Sequence, residues 1–226
     1  LASAEALAEK YGSKIVAMVV EGLEVICKKE KQAGKVGVIS GGGSGHEPAH
    51  AGYVGRGMLD AAVAGNMFSS PSPDRILCGI READAGAGVL MVIKNYSGDI
   101  MNFEMAQELA EAEGIQVDHV VVRDDVAVPD STYSTGRRGI AGTVLVHKIA
   151  GAKALCGGTL PEVKAAAEQA IANIRSMGMA MTPCTLPAVG KPGFVLNDNE
   201  IEIGMGIHGE PGIEKTAMKT AAELAD

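Results

Sequence analysis

Four short apolar runs constrain the fold most: residues 35–40 (KVGVIS), 59–64 (LDAAVA), 88–93 (GVLMVI) and 115–122 (IQVDHVVV). Each is mostly apolar and too short for a self-sufficient helix, which is the pattern of a strand buried on both faces. Between the last two lies a helical stretch, 99–113, with Ile100, Phe103, Ala106, Leu109 and Ala110 at three- and four-residue spacing and Gly114 as its stop. Residues 73–83 open with a proline, which suits a first helical turn. Strand and helix alternating at this rhythm predict right-handed βαβ units and a parallel sheet.

Composition narrows the function classes. The 226 residues include 30 glycines and only four Tyr, three Phe and no Trp, with 46% hydrophobic residues, so small and branched side chains must fill the core. A net charge of −8 excludes a basic nucleic-acid surface. No apolar run approaches the ~18 residues of a membrane span. Glu5 and Glu9 argue against a secretory signal. Cys27, Cys78, Cys156 and Cys184 are widely spaced with no CxxC pair, the usage of reduced, buried thiols in a cytoplasmic protein. The chain begins at Leu1, and 217–226 reads as a helix without a C-cap, so a fragment is expected.

The texture changes after Ala127. A polar loop, 129–139, precedes two helical stretches at about 140–155 and 160–177, and 181–193 holds three prolines in thirteen residues, a candidate boundary. The expected division is therefore an α/β domain over 1–180 and the beginning of a second over 181–226. Residues 194–203 read as a hairpin about Asn197, Asp198 and Asn199. Met177, Met179 and Met181 alternate as strand or core fillers.

The glycines cluster at 41–45 and 204–212, where backbone has to approach something closely. The first cluster, within SGGGSGHEPAH at 40–50, reads as a loop between a strand and a helix, offering backbone N–H groups to a polar or anionic ligand. It fails the Walker pattern, and Pro48 stands where the third glycine of G-x-G-x-x-G belongs. The string from His46 to His50 spells H-E-x-x-H, but Pro48 is tolerated only in a first turn, which separates His46 from a helix carrying His50. The second cluster, GMGIHG at 204–209, is a weak formal G-x-G-x-x-G. More telling is a shared shape, GHEP at 45–48 and HGEP at 208–211: each sets a histidine in a loop at a strand end, where an α/β fold places its ligand crevice. Each histidine either faces that crevice or caps a loop carbonyl. Asp99, at the opening of the best helix, is either a carboxylate in the same crevice or, like Ser97, an ordinary N-cap. Lys94 either holds that loop or is a surface lysine. Glu47 and Glu210 read first as local loop acceptors, His119 and His147 as structural, and Arg137 and Arg138 first as a solvated pair, with a docking surface as the alternative.

Taken together, GGGSGHEPAH, GNMFSSPSPDRI, IKNYSGDIMNFEMA, RRGIAGTVLVHKIAG and IEIGMGIHGEPG, in this order over roughly residues 23 to 215, resemble the substrate-binding K subunit of the dihydroxyacetone kinase family. The resemblance implies a three-layer parallel-sheet domain followed by the start of a second α/β domain with a mixed sheet, and a homodimer. It implies that His208 holds the ketone of dihydroxyacetone as a covalent hemiaminal. His46 and Asp99 then orient the terminal hydroxyl and take its proton, while Gly43, Ser44, Gly45 and Lys94 complete the pocket. Such chemistry suits a neutral imidazole and needs a carbonyl, which excludes glycerol. No Walker loop, kinase glycine-loop and lysine set or acidic Mg²⁺ cluster is present, so this chain is expected to bind no cofactor. The phosphoryl group is expected from a partner subunit or domain carrying ATP with Mg²⁺, or from a phosphorylated carrier; the acidic surface would repel free ATP. The alternatives are a non-catalytic paralogue that senses dihydroxyacetone and instructs a regulatory partner, and, further off, a zinc hydrolase built on the H-E-x-x-H string.

Overall fold

The computed structural model describes residues 15–20, 23–129, 136–185 and 189–225. Among these described residues nine strands form two sheets. The larger contains β1 (Ile15–Val20), β2 (Leu23–Lys28), β3 (Gly37–Ser44), β4 (Ala61–Met67), β5 (Val89–Lys94) and β6 (Val117–Val122), in the order β1-β2-β4-β3-β5-β6. The four runs of the sequence are β3, β4, β5 and β6, mutually parallel as expected. The antiparallel pair β1 and β2 extends the edge beside β4 and makes the sheet mixed there.

Successive residues of the central strands go to opposite faces, so each strand feeds two cores. Ile39, Val63, Met91 and Ile93 pack under α1 (Pro73–Ala83) and α2 (Ser97–Ala112), together with Phe103 and Ala106. Val38, Ala62, Leu90 and Val92 pack under α3 (Thr143–Leu155) and α4 (Leu160–Asn173) with Val146, Ala150 and Val163. This is the three-layer architecture that doubly buried strands require.

Several elements differ from expectation for local reasons. α3 starts at Thr143 rather than near 140 because Asp124 accepts the N–H groups of Ile140 (2.8 Å) and Gly142 (2.7 Å), a carboxylate seated at the helix N-terminus. α4 stops at Asn173, where Ile174 turns extended, and Ser176 pairs with Asp125 instead. The hairpin expected over 194–203 does not form. Only β8 (Glu200–Ile203) is strand, and it pairs with β7 (Met179–Ala180) and β9 (Glu214–Ala217), distant in sequence, in an antiparallel sheet of three. Met177, Met179 and Met181 lie along that edge exposed, not in a core. Of the cysteines, Cys27 and Cys78 are buried as expected but Cys156 and Cys184 are exposed. A short helix α5 (Ala221–Ala225) ends the described chain. Among the described residues no helix is long and apolar enough to cross a membrane.

Candidate functional site

The first glycine cluster is a strand rather than a loop. β3 runs through Gly41, Gly42 and Gly43, which pair with Val63, Ala64 and Gly65 of β4. Side chains are excluded at its end: a Cβ on Gly43 would stand 2.5 Å from the Ser69 amide nitrogen. The β4-to-α1 loop thus folds directly onto β3. The chain then turns at 45–50 and makes one 3₁₀ turn, Ala51–Tyr53, where a helix was expected.

That turn sends the two histidines of the H-E-x-x-H string in different directions. The His46 ring lies 4.8 Å from the Phe68 ring and 4.9 Å from the His208 ring. His50 is buried, and its Nδ1 lies 3.1 Å from Nε2 of His147 in the layer beneath α3. No group of three or more His, Cys, Asp and Glu side chains among the described residues could hold a metal ion. Burial, reinforced by the Lys94 charge, holds His46 down to about 4, so it is a neutral imidazole at pH 7.

His208 reaches the same place from the second sheet. It follows β8 in the loop 204–212, with its ring 4.8 Å from Tyr96 and 5.9 Å from Phe68, edge to face in both cases. Glu210 clamps it twice, accepting the His208 backbone N–H at 2.8 Å and standing 3.0 Å from its Nδ1. Burial would raise the Glu210 carboxyl, but the His208 hydrogen bonds outweigh it and hold the group down to about 2. An ionised Glu210 can only accept, so His208 Nδ1 is the donor of that pair, and in the neutral ring the lone pair is then on Nε2.

A cavity of about 650 Å³ is lined by His208 and Glu210 together with Gly43, Ser70 and Asp99. Asp99 is the third residue of α2 and is buried; it is not the N-cap, which is Tyr96, and its carboxylate accepts the Ser70 hydroxyl. Burial pushes the Asp99 carboxyl up against the opposing effects of Ser70 and the Lys94 charge, which suits a proton acceptor. Lys94, at the end of β5, is no surface lysine: it is 4% exposed, with Nζ against Gly42 and 5.8 Å from the Tyr96 ring centroid. Burial lowers its ammonium, partly offset by Asp99 and Glu210. Ser44 and Gly45 are otherwise engaged: the Ser44 hydroxyl donates to the Gly65 carbonyl, and the Gly45 N–H donates to the Glu47 carboxylate.

Sequence reasoning missed Phe68, Tyr96 and Arg138. Phe68 and Tyr96 carry no signal except their places in the loops after β4 and β5. Arg138, read as solvated, is 1% exposed; Nε and Nη2 bind Asp125 at 2.8 and 2.7 Å, and Nη2 also donates to the Gly204 carbonyl at 2.8 Å. His119 is structural as read, with Nδ1 2.9 Å from the Gln107 side-chain oxygen.

His208 and the buried Asp99 line one cavity, while the neutral His46 ring packs against His208 and the Lys94 ammonium against Gly42 just behind it, an arrangement suited to a small polar electrophile with hydroxyl groups. A model of the Dak1 domain matches residues 8–226. The chain is 61% identical over 206 residues, 91% of its own length and 63% of the relative's, to the PTS-dependent dihydroxyacetone kinase 1, dihydroxyacetone-binding subunit DhaK of Listeria innocua. It therefore spans less than two thirds of that curated relative. The crystal structure of the native dihydroxyacetone kinase of C. freundii superposes with a TM-score of 0.86 at 41% identity, covering 93% of this chain and 39% of that one. The dihydroxyacetone kinase operon co-activator Dha-DhaQ superposes with a TM-score of 0.89 at 37% identity, covering 99% and 68%.

Proposed function

The chain belongs to the Dak1 domain family, and on that premise we propose that it binds dihydroxyacetone covalently on His208 and presents it for phosphorylation. The observation that carries this reading is the pairing of His208 Nδ1 with Glu210 at 3.0 Å, which leaves Nε2 as the nucleophile at the cavity. The Nε2 lone pair adds to the ketone carbon, and the carbonyl π electrons move to oxygen, which takes a proton from solvent. The imidazolium formed loses its Nδ1 proton by way of Glu210, so an N–H adds across the C=O bond and a neutral hemiaminal results.

His46, kept neutral by burial, orients a hydroxyl without adding charge. Asp99 accepts the proton of the terminal hydroxyl as that oxygen bonds to phosphorus and the bond from phosphorus to the donor breaks. The donor is supplied from outside this chain, as ATP with Mg²⁺ on a partner subunit or domain or as a phosphorylated carrier. The protein acts as a homodimer, with a first domain over 1–180 and a second from 181.

The test is ¹³C NMR with carbonyl-labelled dihydroxyacetone, alongside native mass spectrometry. The ketone carbon moves to a tetrahedral position on binding, and His208→Ala abolishes both the signal and the triose adduct; binding that survives in His208→Ala overturns the proposal. A second reading is favoured by the likeness to the Dha-DhaQ co-activator: the same adduct could serve sensing alone. Turnover on addition of an ATP-carrying partner supports the kinase role, and adduct without turnover supports the sensor.

A further inference from the structure

The buried guanidinium of Arg138 has no part in the chemistry above, yet it joins the two sheets at the site. It lies just past the polar loop, beside Asn95, whose side-chain amide donates to the Arg137 carbonyl at 2.7 Å. Its partners come from different parts of the fold: Asp125 follows β6, and Gly204 opens the loop that carries His208. A fully buried ion pair contributes little net stability over well-packed apolar residues of similar volume, so direction is the better explanation for its presence. Here the direction is specific. Nε and Nη2 are taken by Asp125 and Gly204, while Nη1 projects at Gly206, where an added Cβ would stand 2.5 Å from it and would also collide with Glu210 Oε2. Guanidinium and carboxylate therefore flank the same glycine. The loop is closed on itself by the Gly206 N–H donating to the Glu210 carbonyl at 2.9 Å and the Gly209 N–H to the Gly206 carbonyl at 3.0 Å.

We propose that Arg138 is a positioning residue for His208: anchored on Asp125, it holds the Gly204 carbonyl and faces Glu210 across Gly206, keeping that carboxylate aimed at the His208 Nδ1 proton. The proposal rests on the reading of His208 as the nucleophile. It explains why arginine is required, since three directions are served at once by a rigid planar fork, and a lysine ammonium, a single point of charge on a flexible stem, cannot serve all three. It also gives Gly206 a role, as the residue that leaves room for guanidinium and carboxylate to approach.

The experiment compares the parent chain with Arg138→Lys and Arg138→Ala by ¹⁵N NMR of labelled histidine, which reads the His208 tautomer, and by titration with carbonyl-labelled dihydroxyacetone. Arg138→Lys, with a cooperative melt retained, is expected to lose the single Nδ1–H tautomer and to weaken the adduct at least about tenfold, as small misplacements of a reacting group do. In Arg138→Ala, millimolar guanidinium restores the adduct and equimolar ammonium does not. An Arg138→Lys protein with the parent's tautomer and affinity overturns the proposal, and if Arg138→Ala does not fold, the lysine variant alone decides it. A parent chain that forms no adduct defeats the nucleophile reading separately, and the tautomer measurement still decides the role of Arg138.

Discussion

The rings of His46 and His208 meet edge to face with centroids 4.9 Å apart and planes at 76°, although one follows the glycine strand of the large sheet and the other the middle strand of the small one. Phe68 lies against both rings and fixes their spacing. Aromatic contacts of this kind contribute about 1 kcal/mol each. Phe68→Ala is expected to weaken the dihydroxyacetone adduct about tenfold or more, measured by the carbonyl-carbon signal; an unchanged affinity would make Phe68 a mere wall.

Asp99→Asn keeps the size of the side chain and a hydrogen bond with Ser70 while removing the proton acceptor. Adduct formation is expected to stay close to the parent's, and phosphorylation with the partner to fall by about 10²- to 10⁴-fold. Equal turnover in parent and variant reduces Asp99 to a first-turn residue of α2.

Glu210→Gln tests the clamp on His208. A hydrogen bond to a charged group contributes about 1.5–3 kcal/mol, so adduct affinity should fall by about 10- to 100-fold. The acid behaviour has a defined sign. With the folded carboxyl held down to about 2, below its unfolded value, Glu210 contributes stability at neutral pH that is lost as pH falls from the ordinary carboxylate range toward 2. Denaturant titrations at pH 5 and pH 3 should show a smaller loss in Glu210→Gln than in the parent.

The buried pair of His50 and His147 predicts a second pH dependence. Burial holds His147 down to about 3 and His50 well below its ordinary value. The unfolded chain takes up protons near 6.5 that the folded chain refuses, so stability is complete above that pH and declines as pH falls below it. A histidine that stays neutral in the folded chain lowers stability by at most about 1.4 kcal/mol for each pH unit below its unfolded value. His147→Phe should flatten the profile of unfolding free energy over that interval, and a slope unchanged from the parent's would place the pH dependence elsewhere.

Much of the fold was legible because it is local. β3 and β5, buried on both faces, declare themselves as short apolar runs, whereas β6, interrupted by Asp118 and His119, is only partly buried; α1 is bounded at Pro73 and Ala83, as its opening proline predicts. The hairpin over 194–203 misled because pairing depends on partners: β8 finds β7 some twenty residues back and β9 just beyond the glycine loop. The alternating methionines read as strand or core fillers; Met179 is in strand β7, but all three are exposed at the edge of the small sheet rather than in a core.

Local sequence supplies the chemical groups and the strand ends that carry them, with His46 after β3, Lys94 closing β5, Asp99 just past it and His208 after β8, but it leaves Lys94 open to being a surface lysine and Asp99 to being an N-cap. Tertiary structure decided how they are used. It turned His50 away toward His147, engaged Ser44 and Gly45 elsewhere, and buried Arg138 against a carboxylate thirteen residues earlier and a carbonyl sixty-six residues later. The physical reason is range. Backbone propensity and apolar periodicity act over a few residues, whereas desolvation and hydrogen bonding across the two sheets depend on neighbours that only the folded chain brings together.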